Sequence, residues 1–186
     1  MNGNFTDNFL QGSVKMDSAR EVREVGNYYF DFALFWFNNG LNNANVWFNG
    51  NWINGTSTLI QLCIKNCTNA MDTYLLSYER FGFTTPYFSQ AMLYTNISKY
   101  LEVLGYYISF AQAGQNITLL RYNASKYLQQ AAENFSLGNT ENFSMLYDLF
   151  NITDTAYGGA VEQYDEKKEQ IDGYLFISEI REIPDG

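Results

Sequence analysis

Proline is all but missing from this chain. Only Pro86 and Pro184 interrupt 186 residues, so the backbone can run helical over stretches far longer than the usual three turns. The apolar residues follow helical rather than alternating spacing. Thr85-Pro86 reads as an N-cap with proline at the first helical position. Behind it Tyr87, Ala91, Tyr94, Ile97, Leu101, Leu104, Ile108 and Ala111 recur at steps of three and four. Gly114 is expected to close that helix.

The same spacing predicts a helix over 17–37, with Ala19, Val22, Val25 or Gly26, Tyr29, Ala33 and Trp36 on its inner stripe. Another is predicted over 58–81, a fourth over 117–135 and a shorter one over 139–150. The last spans 155–183, where Tyr157, Val161, Tyr164, Lys168, Ile171 and Leu175 keep a seven-residue rhythm that Ile177, Ile180 and Ile183 extend. The expected fold is therefore all-α: a single-domain helical bundle of about five or six helices covering 1–186. Residues 1–16 are expected to be a loose N-terminal segment, and 38–57 an Asn/Gly/Trp-rich interhelical loop. A hydrophobic content of 46% is enough for a core of that kind.

Charge narrows the function. A net charge of -9 and no basic cluster beyond Lys167-Lys168 leave no face for phosphate, which argues against a nucleic-acid partner. Histidine is absent. With it go the commonest general base, the commonest metal ligand, and any Ser-His-Asp or Cys-His pairing. A di-iron bundle needs Glu-x-x-His pairs and cannot be built. Asp31, inside YYFDFALFWF, is the one odd acid. Pairing with Arg80 or Arg121, or exposure on the far helix face, accounts for it better than catalysis does. The expectation is a non-enzyme with no metal and no cofactor.

Asn-X-Ser/Thr occurs nine times, at Asn4, Asn54, Asn66, Asn96, Asn116, Asn123, Asn134, Asn142 and Asn151. The content of Asn, Ser and Thr would give about three by chance. Eight of the nine fall in 25–155, where only 13 of 131 residues are charged. A surface made of neutral amides and glycans suits an extracytoplasmic setting, cell-surface or secreted, with Asn54, Asn96, Asn116, Asn123 and Asn134 accessible for modification. No stretch reads as a membrane span, and Met1-Asn2-Gly3-Asn4 has neither the basic nor the apolar run of a signal peptide. An anchor outside residues 1–186 fits this reading.

Cys63 and Cys67 stand four apart. On a continuous helix their Cβ atoms are about 6 Å apart, too wide for a disulfide. Either the helix is interrupted and the pair bridged, or both are small buried hydrophobes. An oxidised Cys63–Cys67 pair accords with export and is the expectation here.

The stretch FWFNNGLNNANVWFNGNWING at 35–55 holds Trp36, Trp47 and Trp52 among eight asparagines and no charge. Trp36 completes a helical stripe and is expected in the core. Trp47, Phe48 and Trp52 have no such periodicity. They cap the bundle, or they form a contact surface with Asn49 and Asn51 for a protein or glycan partner. Basic residues that would hold an anionic membrane are missing. By exclusion, the chain reads as a non-catalytic interaction or ligand-sensing domain of a surface or membrane-anchored protein. The alternative is a structural or assembly protein of a cell surface or virion. The oligomeric state stays open.

Overall fold

The computed structural model describes residues 4–53 and 55–172. It is all-α apart from one small hairpin: α1 (Phe5–Asn43), β1 (Trp47–Phe48), β2 (Asn51–Trp52), α2 (Thr56–Gly82), α3 (Thr85–Met92), α4 (Ser98–Ser136) and α5 (Thr140–Asp172). Four helices are long, and α3 has eight residues. No helix among the described residues is long and apolar enough to cross a membrane.

Several boundaries differ from expectation. Residues 5–16 are helical rather than loose: Phe5 and Phe9 are buried, and Phe9 meets the Tyr107 ring edge-on at 5.2 Å. The helix expected from 85 to 111 stops at Met92, resumes at Ser98, and then runs through Gly114 without ending there. The break lies at 93–97, where Leu93 is three-quarters exposed and the Thr95 hydroxyl accepts a hydrogen bond from the Ile97 N–H at 3.2 Å. That local side-chain partner competes with the helical ladder. Segments 139–150 and 155–172 are one helix, because nothing between them removes a backbone donor. The predicted extension through Ile177, Ile180 and Ile183 lies outside the described residues.

Packing on α1 follows a strict seven-residue rule. Phe9, Met16, Arg23, Phe30 and Phe37 are buried seven apart, and between them Gly12, Ala19, Gly26, Ala33 and Gly40 are buried as well. Large and small positions thus alternate at steps of three and four, the repeat of a left-handed supercoil. Each glycine receives one large side chain. A Cβ on Gly12 would stand 2.7 Å from the Phe88 ring, on Gly26 2.8 Å from the Tyr74 ring, and on Gly40 2.6 Å from Ile60 Cδ1. The residue numbers of each pair sum to one constant, so α1 and the α2–α3 stretch run antiparallel. A mid-helix glycine costs about 0.5–1 kcal/mol, whereas burying a Phe, Tyr or Ile side chain returns about 1.5–3 kcal/mol. Burial wins at each of these crossings.

The described chain packs as two compact units. The first takes residues from Met1–Glu21, Leu76–Thr118 and Gly158–Gly186; the second takes Val22–Leu75 and Leu119–Tyr157. In the first, Phe81 lies over Gly114, where a Cβ would be 2.5 Å away. The Phe110 and Tyr164 rings meet beside it at 4.6 Å, tilted 31° to one another. In the second, Phe30, Phe37, Ile60, Cys63, Cys67, Ala70, Tyr74, Leu128 and Phe150 form the core. Trp36 is not among them. It lies half-buried with its ring edge-on to Phe35, and Phe37 takes the core position.

The expected disulfide is also corrected. Helix α2 passes through 63–67 unbroken, the two Sγ atoms are 3.9 Å apart, and both thiols are free and fully buried. Helical geometry sets that distance, as the four-residue spacing requires.

Candidate contact surface

Helix α1 ends in a run of asparagines, and the chain then folds back through Phe48-Asn49-Gly50-Asn51. Asn49 (φ 48°) and Gly50 (φ 78°) are both left-handed. This is the two-residue Asn-Gly turn whose twist matches a β-hairpin. Trp47 pairs with Trp52 and Phe48 with Asn51, and the Ile53 N–H donates to the Val46 carbonyl at 3.0 Å.

A hairpin this short is marginal alone, and α4 holds it. The Trp52 ring stacks on Phe135 at 4.6 Å with 10° between planes. Its indole N–H donates to the Phe135 carbonyl at 2.8 Å. Trp47 meets Trp52 edge-on at 4.9 Å and covers Gly138, where a Cβ would come within 2.7 Å of the indole. Gly138 is itself left-handed (φ 71°) just past the end of α4, the position that closes a helix.

The five residues singled out from sequence therefore divide. Trp52 is half-buried and anchors the hairpin. Trp47 is 37% exposed, part anchor and part surface, while Phe48 is 62% exposed and packs on nothing comparable. Asn49 and Asn51 are exposed. Val46 and Ile53, which the sequence reading passed over, are exposed beside them. Their β-branched character around an Asn-Gly dipeptide was the available signal.

The expected glycan acceptors are distributed over the helices. Asn96 and Asn116 are exposed, and Asn123 and Asn134 are half-buried. The Asn134 amide donates to the Gln130 carbonyl at 2.9 Å. Asn54 lies outside the described residues. Of the remaining sequons, Asn142 and Asn151 are exposed and Asn4 and Asn66 half-buried.

Asp31 is exposed on the outer face of α1. The arginines offered to it are engaged elsewhere: Arg80 with the Ser18 hydroxyl at 2.6 Å, and Arg121 with Asp154. Arg121 is also sandwiched between the rings of Phe30 (4.2 Å) and Tyr157 (3.6 Å). Arg23, nearly buried, donates to the Tyr157 hydroxyl at 2.8 Å. The Tyr74 hydroxyl, donating to Asn27 Oδ1 at 2.8 Å, is held well above the usual phenol range by burial, a rise that Arg121 and Arg23 oppose. This cluster ties α1, α4 and α5 together inside the second unit. Arg23 was missed from sequence because a charge at a seven-residue core position reads as an exposed residue until its tyrosine partner is seen.

Among the described residues, no three His, Cys, Asp or Glu side chains converge in a way that could hold a metal. Cys67 is pushed well above the ordinary thiol range by its hydrogen bond with Cys63 and then by burial, opposite to what a reactive cysteine needs. Comparison with known protein families, with curated proteins and with solved structures gives no match.

Proposed function

We propose that this chain is a non-catalytic interaction or ligand-sensing domain working outside the cytoplasm, as part of a surface or membrane-anchored protein. Its contact surface is the hairpin that carries Val46, Trp47, Phe48 and Ile53. The observation that supports this most is the contrast between anchor and tip. Trp52 fixes the hairpin on α4 by stacking and by an indole hydrogen bond, while Phe48 stays 62% exposed. A rigidly presented aromatic with apolar neighbours is how partner sites are commonly built, since little entropy is lost on binding. The polar surface supports the location: the described sequon asparagines are exposed or half-buried, none fully buried, as glycan acceptors must be. Intact mass of the protein from its native source tests the location, and a bare polypeptide mass overturns it. Phe48→Ser tests the surface: it leaves helicity and melting unchanged but weakens association with the native partner, a protein or a glycan. Unchanged association overturns the assignment.

The second reading, a structural or assembly protein, draws on a separate observation. Val25, Tyr28, Phe32 and Phe35 are exposed along α1 at steps of three and four, an outward seam with the same repeat as the buried one. Paired antiparallel with a second copy, Val25 would face Phe35 and Tyr28 would face Phe32, and the neighbouring Glu24 and Asp31 would meet neutral Trp36 and Tyr29. A concentration-independent monomer in sedimentation equilibrium eliminates this reading.

A further inference from the structure

The protein carries 20 acidic residues and 11 basic ones, yet in the first unit two of the cations line one shallow cleft of about 210 Å³ between α1 and α2. It is lined by Lys15, Ser18, Leu76, Arg80 and Phe83. Neither Lys15 nor Arg80 makes an ion pair with a described carboxylate: among the described residues the pairs are Arg20–Asp17, Arg23–Glu24, Arg121–Asp154 and Lys168–Asp172. The groove on the opposite flank of α1, lined by Asp17, Arg20, Lys168 and Asp172 among others, has its charges already paired.

The polar end of the cleft is ordered from within. Arg80 Nη1 donates to the Ser18 hydroxyl oxygen at 2.6 Å. With its oxygen so used, Ser18 keeps a hydroxyl proton to give, and the rest of the guanidinium fork keeps its donors. Lys15 Nζ lies 5.3 Å from the Tyr87 ring centroid, a contact that places the ammonium without neutralising it. The other wall is apolar and open to water: Leu76 is 41% and Phe83 59% exposed. Two unneutralised cations, a hydroxyl donor and an apolar wall within one cleft match a molecule with an anionic head and a short hydrocarbon body.

We propose that this cleft binds a small amphipathic carboxylate, with the carboxylate on Arg80, Lys15 and the Ser18 hydroxyl and the hydrocarbon against Leu76 and Phe83. The site is independent of the hairpin. Its ligand enters as an anion, so affinity falls as salt rises. A cation of the same hydrocarbon is excluded by charge, and an anion with no hydrocarbon leaves the apolar wall wet.

Calorimetric titration of the whole chain at low salt with hexanoate, acetate, hexylammonium and inorganic phosphate tests this. Hexanoate is expected to bind saturably, one per chain, with acetate at least about tenfold weaker for want of its methylenes. Hexylammonium is expected to give no saturable heat. Lys15→Met should weaken hexanoate by roughly tenfold and Arg80→Gln by more, since the latter removes a charge and a fork of donors together. Lys15 makes no hydrogen bond that the fold needs, so its variant carries the test if Arg80→Gln proves unstable. Phe83→Ser, at an exposed position, should weaken hexanoate while leaving acetate unchanged. No saturable hexanoate binding at millimolar concentration overturns the proposal, and so does binding that neither cation variant alters. Phosphate binding as tightly as hexanoate overturns the amphipathic assignment.

Discussion

Replacing Gly26 with alanine should destabilise the protein, although alanine is the better helix former. The site decides the sign. Gly26 is buried within α1, and a Cβ there would meet Tyr74 Cε1 at 2.8 Å, Cδ1 at 2.9 Å and Cζ at 3.2 Å. The ring cannot swing aside cheaply, because Tyr74 is fully buried and its hydroxyl is held by Asn27 at 2.8 Å. Overpacking of this kind costs about 1–3 kcal/mol, and removing glycine from a helix interior recovers about 0.5–1 kcal/mol. The net loss expected for Gly26→Ala is about 1 kcal/mol, within a range of about 0–2.5 kcal/mol. Gly105 is the internal control. It too lies inside a long helix, α4, yet nothing comes within 4 Å of its ideal Cβ, so Gly105→Ala should gain about 0.5–1 kcal/mol. Circular dichroism at the helical band, followed through urea or heat, reads both. At this chain length each kcal/mol moves the melting midpoint about 2–4 °C, so the variants should shift in opposite directions. A cycle with Tyr74→Ala completes the test: that change alone costs about 3–5 kcal/mol, and in its background Gly26→Ala should turn stabilising. If Gly26→Ala stabilises the wild type as much as Gly105→Ala does, the glycine is not a receptacle for Tyr74 and the reasoning fails.

Three further outcomes follow from the same structure. Burial pushes the Tyr107 phenol up to about 12, with Asp17 and Asp172 adding to the rise, so the unfolded chain loses that proton first. Stability should therefore be full below about pH 10 and fall as pH rises from there toward 12, and the Tyr107→Phe variant should lose less over that window; an identical slope in the variant refutes it. Cys63 and Cys67 should be silent to a thiol reagent in the native state and both titrate after unfolding without any reductant, whereas one disulfide per chain would refute the continuous helix through 63–67. Trp52→Ala, which removes the stack on Phe135 and the bond to its carbonyl, should cost about 2–4 kcal/mol, set against a change within about 0.5 kcal/mol for Phe48→Ser; equal effects would show that the hairpin is not pinned through Trp52.

The helical class was legible because proline scarcity and three-four spacing act over whole helices. The stripes themselves were harder. On α1 the stripe through Ala19, Val22, Val25 or Gly26, Tyr29, Ala33 and Trp36 meets the buried face at Ala19, Gly26 and Ala33, but its Val22, Tyr29 and Trp36 sit one residue away from the buried Arg23, Phe30 and Phe37. An apolar residue was available at nearly every turn, so hydrophobicity alone could not choose the face. Glycine at 12, 26 and 40 could have chosen it. Glycines fourteen apart, with Ile60, Tyr74 and Phe88 at the same interval, are a packing register written in residue size rather than in polarity. The same substitution of size for polarity explains Gly114, which reads in the sequence as a helix end and is a seat for Phe81.

The hairpin shows where local chemistry carries more than composition. Treated as an Asn/Gly/Trp-rich loop, residues 38–57 yield only a list of aromatics. Treated as an Asn-Gly turn, they yield a geometry. If Asn49-Gly50 is the two-residue loop, Phe48 must oppose Asn51 and Trp47 must oppose Trp52, and successive side chains must leave opposite faces. Both tryptophans then share one face and Phe48 takes the other. The structure has that register, with the tryptophan face on Phe135 and Gly138. What the turn cannot supply is which face meets the bundle. Ring area decides it: two indoles bury more apolar surface than one phenyl beside an asparagine, and an indole N–H can give the Phe135 carbonyl a second donor beside the Gly138 N–H, while a phenyl cannot. The face left over is the one that carries Phe48 into solvent.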